Sequence, residues 1–222
     1  MSRAIAVLRP EPGNRVTAAA IEARGRRAIR LPLFEAGAVA WQVPDPARFD
    51  ALLLTSANAM RHGGDGLARL RALPVHAVGE VTAETARRAG FIVAATGEAG
   101  AEAMLARAGA MGVRRALHLA GRERTLAAGG IVAEVLTVYE SEALPITVAS
   151  AARLAGSVAL VQSARAGARL AEIVDPAMRP SIALIAISER AAAAAGTGWE
   201  QVVVPAALHG TALIDAAIAL AD

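Results

Sequence analysis

The chain contains one β/α pattern twice, at an offset of roughly 105 to 112 residues. The corresponding segments are residues 31–36 and 136–141, residues 54–59 and 161–166, and residues 77–91 and 186–196. Solenoid and propeller repeats have periods of roughly 20 to 50 residues, so this period is that of a domain. A duplicated α/β unit predicts two similar lobes with a ligand in the cleft between them. The alternative is a chance alignment within an alanine-rich chain.

Short apolar runs alternate with stretches of helical periodicity, a pattern typical of parallel βα units. Hydroxyl residues follow several apolar runs directly, and we expect Ser56, Thr82 and Ser163 to mark helix starts. Gly90 and Gly196 stand where helices are expected to end. The predicted strands are residues 4–8, 28–31, 51–54, 75–78, 92–95, 116–119, 131–138, 157–161, 182–187 and 201–204.

Two segments change composition and predict crossings between the lobes. The first, residues 34–46, contains Glu35, Trp41 and two prolines, and the second lies near residues 139–145. Two crossings in a chain with matching halves place its beginning and end in one lobe. The predicted first lobe is therefore residues 1–33 plus 145–222, the inserted second lobe is 42–134, and the connections are 34–41 and 135–144.

Composition excludes several classes of function. The 23 basic residues are all arginine, the formal net charge is only +3, and basic residues nowhere cluster with aromatic ones, so we expect no nucleic-acid partner. The longest apolar stretch is far below the ~18 residues of a membrane span, and the first apolar run is too short for a signal peptide. We therefore expect a cytoplasmic protein that does not contact membranes.

Metal and cofactor sites are not expected either. There is no cysteine, and His62, His76, His118 and His209 lie far apart, without the short spacings of zinc motifs. No Walker loop, dinucleotide fingerprint or nucleophile elbow is present. The glycine cluster at residues 63–66 does not follow a strand directly and predicts a surface turn. The sequence thus predicts no metal and no cofactor.

The candidate ligand site consists of polar turns at the carboxyl ends of the predicted strands, where parallel sheets bind ligands and helix N-termini present N–H groups to anions. For each serine or threonine the alternative is an ordinary helix cap. Tyr139, the only tyrosine, can donate a hydrogen bond or a proton, the alternative being an aromatic that packs at the crossing. The predicted ligand-binding residues are Arg9, Thr55, Ser56, Asn58, Gly79, Thr82, Arg122, Ser163, Arg165 and Ser188.

Along nearly its whole length the chain resembles the uroporphyrinogen-III synthase family. The resemblance rests on an ordered set of short motifs, none of them specific alone: residues 8–10 (LRP), 31–33 (LPL), 54–59 (LTSANA), 77–83 (AVGEVTA), 121–124 (GRER) and 138–140 (VYE). It implies an α/β fold of two flavodoxin-like parallel-sheet lobes joined by a two-stranded crossing. This arrangement agrees with the one predicted from the repeat.

The resemblance also implies a reaction. Family enzymes cyclise hydroxymethylbilane, a linear tetrapyrrole with eight carboxylates, into uroporphyrinogen III and water, inverting ring D without a cofactor. Tyr139 aligns with the tyrosine proposed to assist hydroxyl departure, and Ser56 and Thr82 align with hydroxyls that line the cleft. Many members have a Gly-x-x-Thr turn where this chain has residues 188–191 (SERA), so Ser188 or Arg190 takes that threonine's place.

The resemblance further implies a monomer that makes only transient contact with hydroxymethylbilane synthase. Two other functions stay open from the residues. A non-catalytic module that binds a tetrapyrrole or another polycarboxylate would keep the polar turns without requiring Tyr139. A two-lobed binding protein for a different small anion would keep only the architecture.

Overall fold

The computed structural model describes residues 2–97, 100–124, 126–206 and 211–222; His209 lies outside them. In these ranges the strands are β1 Ile5–Val7, β2 Ala28–Arg30, β3 Phe34–Ala38, β4 Ala51–Leu54, β5 Val75–Val78, β6 Val93–Gly97, β7 Ala116–Gly121, β8 Val132–Ala143, β9 Val158–Val161, β10 Ala183–Ala186 and β11 Gln201–Val203. The α-helices are α1 Gly13–Glu22, α2 Asn58–His62, α3 Glu80–Arg88, α4 Ala101–Ala110, α5 Val148–Ala152, α6 Ala164–Ile173, α7 Glu189–Ala195 and α8 Ala212–Ala221. Short 3₁₀ turns occupy Pro46–Arg48, Asp65–Leu70 and Arg179–Ser181.

The chain forms two compact units, each with its own sheet. Unit 1 comprises Met1–Glu35 and Ala143–Asp222, and unit 2 comprises Ala36–Glu142. The sheet of unit 1 has the order β11-β10-β9-β1-β2, and the other sheet has the order β3-β8-β7-β4-β5-β6. Neighbouring strands are parallel in the order β11-β10-β9-β1-β2 and in the order β8-β7-β4-β5-β6.

The two sheets share one strand order once the repeat is applied. In unit 1, β2-β1-β9-β10-β11 is the 2-1-3-4-5 order of flavodoxin-like sheets. The repeat matches β7 and β8 of unit 2 to β1 and β2 of unit 1, and β4 and β5 to β9 and β10. The order β8-β7-β4-β5-β6 in unit 2 is therefore equivalent to the order β2-β1-β9-β10-β11 in unit 1. The strand pair that opens unit 1, β1 and β2, thus corresponds to the pair that closes unit 2, β7 and β8, and the predicted α/β fold is confirmed.

Helices cover both faces of the unit 1 sheet. Leu8, Val161 and Leu184 pack on one face with Leu170 and Trp199, and Ile5 and Leu160 pack on the opposite face with residues of α1 and α8. The central strands β9 and β10 are buried at every position. Continuous apolar runs are what a parallel strand covered on both faces requires.

The unit 2 sheet is covered in the same way. Leu52, Leu54 and Leu119 lie on the face covered by α2 and α3, whereas Leu53 and Ala116 pack with Met104 of α4 on the opposite face. Successive side chains of a strand point to opposite faces, so His76 and His118 share the α4 face with Leu53. Both histidines are buried.

One strand has no counterpart among the strands predicted from apolar runs. Residues 34–38, part of the predicted connection at 34–41, form β3, which pairs with β8 at the edge of the sheet, in line with the two-stranded crossing that the family resemblance implies. The hydrogen bonds from Val39 N to Val138 O and from Leu144 N to Leu33 O show that the two segments run antiparallel. The chain passes from one unit to the other within these paired strands.

Candidate active site

In unit 1 the strand order brings three predicted turns to one edge of the sheet. Strands β1, β9 and β10 are neighbours and run parallel. Their carboxyl ends lead into residues 8–10, 162–165 and 187–190, which contain Arg9, Ser163, Arg165 and Ser188. Four residues from three distant parts of the sequence therefore lie at the same end of one sheet, where α1, α6 and α7 begin.

The two serines of this edge cap helices. Ser163 Oγ accepts a hydrogen bond from Ala166 N at 3.1 Å, and Ser188 Oγ accepts one from Ala191 N at 3.2 Å, in nearly the same extended backbone conformation. The capping alternative is therefore true of both. A capping hydroxyl uses a lone pair and keeps its own O–H, so capping leaves each serine able to donate to a ligand.

Two of the arginines at this edge, Arg9 and Arg165, are held by local packing. The Arg9 side chain lies against Gly13 and reaches Thr17 Oγ1 at 3.5 Å, so it covers the first turn of α1. The Arg165 guanidinium lies 4.3 Å above the centre of the Phe34 ring, a cation–π contact. Phe34, predicted at the first crossing, thus supports a predicted ligand-binding residue of the same unit.

In unit 2 the central neighbours are β7, β4 and β5. Their carboxyl ends carry Arg122, the segment Thr55–Asn58, and Gly79. Ser56 Oγ accepts a hydrogen bond from Asn58 N at 3.2 Å and so closes the turn before α2. Gly79 has φ 83° and is the N-cap of α3, so any side chain at this position would be strained. A bare backbone at a helix N-terminus permits close approach of an anion.

The interpretation of Thr82 as the start of a helix is wrong. Helix α3 begins at Glu80, and Thr82 lies inside its first turn with 5% of its surface exposed. The N-terminal amides of α3, and not a Thr82 cap, are thus the groups that the fold places at this edge. Helix ends at Gly90 and Gly196 are confirmed.

The turn after β7 contains two arginines with different partners. Arg122 forms an ion pair with Glu140, so part of its charge is already balanced. Arg124 donates to Thr137 Oγ1 at 2.9 Å and to Gly121 O at 3.1 Å, which fixes its guanidinium between the end of β7 and the middle of β8. The sequence prediction did not include Arg124, because nothing in the sequence shows which arginine of the turn contacts the neighbouring strand.

Tyr139 lies on β8 beside Gly121 of β7. Its ring sits directly on the Gly121 backbone: a Cβ atom at that glycine would lie 2.7 Å from Tyr139 Cζ and 2.9 Å from its hydroxyl oxygen. The His62 ring is 6.3 Å from the tyrosine ring, centre to centre. Tyr139 is half-buried, and it also packs against the core beneath α2 and α3.

Sequence reasoning missed His118. This residue is fully buried on β7, and its Nε2 lies 3.1 Å from Oγ1 of Thr55 at the end of β4. Burial, with a smaller contribution from the positive charge of Arg124, lowers the pKa of His118 from 6.5 to about 4, so the imidazole is neutral at physiological pH. The available signal was a histidine in the otherwise apolar run of residues 116–120.

Within the described ranges no three residues among His, Cys, Asp and Glu come together as a metal site. None of the helices in the same ranges has the length and apolar character needed to cross a bilayer. The hydrogen-bond donors at the two edges are hydroxyls, backbone amides, guanidinium groups and a phenol, and the carboxylates of Glu80, Glu140 and Glu189 lie beside them.

The fold and these turns define a duplicated, doubly wound α/β protein with donor groups at the carboxyl ends of both sheets. The family model of uroporphyrinogen-III synthase HemD matches residues 15–215. The chain belongs to the uroporphyrinogen-III synthase family.

Solved structures agree with this fold. A uroporphyrinogen-III synthetase from Helicobacter pylori is 17% identical and superposes with a TM-score of 0.67, over 99% of this chain and 100% of that one. A mutant uroporphyrinogen III synthase from Thermus thermophilus is 16% identical, with a TM-score of 0.51 and 97% of each chain covered. Comparison with curated protein sequences finds no match.

Family membership confirms the function predicted from the resemblance. The protein is an enzyme of haem biosynthesis, a cyclising lyase that acts on a tetrapyrrole. Nothing in the comparisons supports the non-catalytic binding module.

Proposed function

We propose that the polar turns at the carboxyl ends of both sheets bind the carboxylates of hydroxymethylbilane. The observation that carries the proposal is that neighbouring parallel strands bring together residues from distant parts of the sequence. The proposed contacts in unit 1 are Arg9, Ser163, Arg165 and Ser188, and those in unit 2 are Thr55, Ser56, Asn58, Gly79 with the amides of α3, and Arg122.

Many modest contacts suit this substrate. An exposed contact with a helix N-terminus is worth about 0.3 to 1 kcal/mol, and an exposed ion pair a similar amount. Eight carboxylates can share their charge among several such groups, so no single anchor is needed. Arg122 offers only part of its charge to the substrate, because Glu140 already balances the rest.

Tyr139 is the proposed proton donor for the departing hydroxyl of ring A. Loss of that hydroxyl gives an azafulvene, which ring D attacks at its substituted carbon before the spiro intermediate reopens and closes to the type III isomer. The uncatalysed closure gives the unflipped isomer, so binding energy has to hold the chain in a bent geometry. The support for Tyr139 is its half-buried phenol on the Gly121 backbone, beside the turn of Arg122 and Arg124.

The first experiment is conversion of hydroxymethylbilane by the purified protein, with separation of the type I and type III products. We expect type III product without added metal or nucleotide, and unchanged activity after exhaustive chelation. Exclusive formation of type I product would contradict the assignment, and activity lost on chelation and restored by a metal would contradict the cofactor-free mechanism.

Tyr139→Phe tests the proton donor. We expect turnover to fall about tenfold to a hundredfold, or about 1.4 to 2.7 kcal/mol of transition-state stabilisation, with little change in KM. Thr85→Ala is the control, because it removes a hydroxyl of the same unit that is committed to Val81 O within α3. Equal turnover in Tyr139→Phe and the wild-type enzyme would assign Tyr139 a packing role.

We further propose that the enzyme acts as a monomer in the cytoplasm and receives its substrate by transient contact with hydroxymethylbilane synthase. A molecule with eight carboxylates does not cross a membrane unaided, so it is used in the compartment where it is made. Its spontaneous closure to the wrong isomer also favours rapid transfer. Sedimentation analysis of the protein alone, and cross-linking of the two enzymes with substrate present, are the tests.

A further inference from the structure

Two buried histidines of unit 2 differ in one contact. His118 on β7 and His76 on β5 both align with Leu53 of β4, with 0% and 3% of their surfaces exposed. Among the described residues, Nδ1 of each ring lacks a hydrogen-bond partner. Only the His118 ring reaches a predicted ligand-binding residue, through its Nε2 and the half-buried Thr55 hydroxyl.

The direction of that hydrogen bond follows from the cost of burying polar groups. A neutral imidazole has one N–H and one bare nitrogen. If Nδ1 of His118 carried the hydrogen, a buried N–H would be left unsatisfied, which is rarer in proteins than an unsatisfied acceptor. The hydrogen therefore resides on Nε2, which donates to Thr55 Oγ1.

This direction decides what Thr55 can do for a ligand. Since Oγ1 accepts from His118, its own hydrogen is not used in that bond. Among the described residues, the Thr55 hydroxyl has no hydrogen-bond partner other than His118. The opposite direction would turn the Thr55 hydrogen inward and present only lone pairs, which repel a carboxylate.

We propose that His118 is a positioning residue that fixes the Thr55 hydroxyl as a hydrogen-bond donor to a carboxylate of the tetrapyrrole substrate. The inference rests on the proposed function, because it requires Thr55 to contact the substrate. His118 itself touches no substrate, since its ring is fully buried. Its effect is on the orientation of one hydroxyl hydrogen.

Two amide substitutions separate orientation from packing. The side-chain amide of His118→Gln takes the place of ring Nε2 and can donate to Thr55, whereas that of His118→Asn reaches only the position of Nδ1. We expect KM within about threefold of wild type for His118→Gln and raised about tenfold for His118→Asn, with kcat little changed. One lost hydrogen bond to a charged group corresponds to about tenfold or more in binding.

Further variants test whether Thr55 transmits the effect. Thr55→Val should raise KM as much as His118→Asn does, whereas Thr55→Ser, which keeps the hydroxyl, should have the KM of the wild type. The double variant Thr55→Val/His118→Asn should have a KM no higher than that of either single variant. His76→Gln is the matched control, because it replaces a buried histidine of the same sheet face that lacks the contact with Thr55. We expect its KM to be unchanged.

The imidazole tautomer gives a readout independent of activity. Nitrogen-15 NMR of the wild-type protein should show the His118 hydrogen on Nε2, whereas a hydrogen on Nδ1 would overturn the inference. The inference also fails if His118→Asn binds substrate as well as His118→Gln, or if Thr55→Val leaves KM unchanged. A wild-type protein that makes no type III product would instead contradict the proposed function, while the NMR result still reports the direction of the hydrogen bond.

Discussion

Replacing Gly121 with alanine should displace the Tyr139 ring without otherwise changing the fold. The added Cβ would lie 2.7 Å from Tyr139 Cζ, whereas ordinary van der Waals contact begins at about 3.4 Å. The phenol must therefore move by about 0.7 Å or more. Gly121 is not among the glycines with positive φ, so alanine can adopt its backbone conformation.

The magnitude follows from the role proposed for the phenol. Misplacement of a reacting group by about 1 Å can lower the rate a hundredfold. We therefore expect Gly121→Ala to lower kcat about tenfold to a hundredfold, close to the effect of Tyr139→Phe. Overpacking costs typically 1 to 3 kcal/mol, and we expect about 1 kcal/mol here because the half-buried ring can shift toward solvent.

The assay is the initial rate of type III formation, together with urea unfolding to verify the fold. Gly97→Ala is the matched control: its Cβ would lie 2.9 Å from Met104 Cε, the end of a flexible side chain that can move aside. We expect wild-type kcat for Gly97→Ala, and no further loss when Gly121→Ala is combined with Tyr139→Phe. A folded Gly121→Ala enzyme with wild-type kcat would refute the argument that Tyr139 acts through its position on Gly121.

Two further predictions concern stability. The pKa of His118 is lowered from 6.5 in the unfolded chain to about 4 in the folded protein. Between these two pH values the histidine is protonated in the unfolded chain and neutral in the folded protein. The free energy of unfolding is therefore unaffected above pH 6.5 and falls progressively toward pH 4, by about 3 kcal/mol in all. Measured by urea unfolding, the free energy of unfolding should fall between pH 7.5 and pH 4.5 by about 2 to 3 kcal/mol less in His118→Gln than in the wild type. An equal fall in both proteins would contradict the lowered pKa of His118. Gly167→Ala should destabilise unit 1 by about 2 kcal/mol or more, because its Cβ would lie 2.6 Å from Ala191 O and 2.9 Å from Ala195 N, backbone atoms of α7 that cannot move aside. Thermal unfolding is the measurement, and an unchanged melting temperature would show that α6 and α7 can separate at no cost.

The candidate site shows which residues sequence reasoning can select. Ser163 and Ser188 were selected because each follows a continuous apolar run, and the structure places both at the ends of buried strands. Thr82 was predicted to start a helix from its residue type alone. The N-cap of that helix is in fact Gly79, in a backbone conformation that no other residue adopts easily. His118 was missed because the sequence does not show which residue its imidazole contacts; the Thr55 hydroxyl comes from another strand.

The elements that the sequence by itself determined are those whose signal is local. The strands predicted at residues 51–54 and 75–78 have the observed bounds, because short, largely apolar runs between turn residues are typical of strands covered on both faces. Pairing between distant segments was decided by the tertiary structure alone. The segment FEAGA at residues 34–38 has little intrinsic strand preference and becomes β3 because β8 offers it a hydrogen-bonding edge. The neighbours of Thr55 and Tyr139 were decided in the same way: His118 and Gly121 come from β7, which lies beside β4 and β8 only once the sheet has formed. A hydrogen bond or a ring contact between residues so far apart in the chain depends on strand order, which no local pattern encodes.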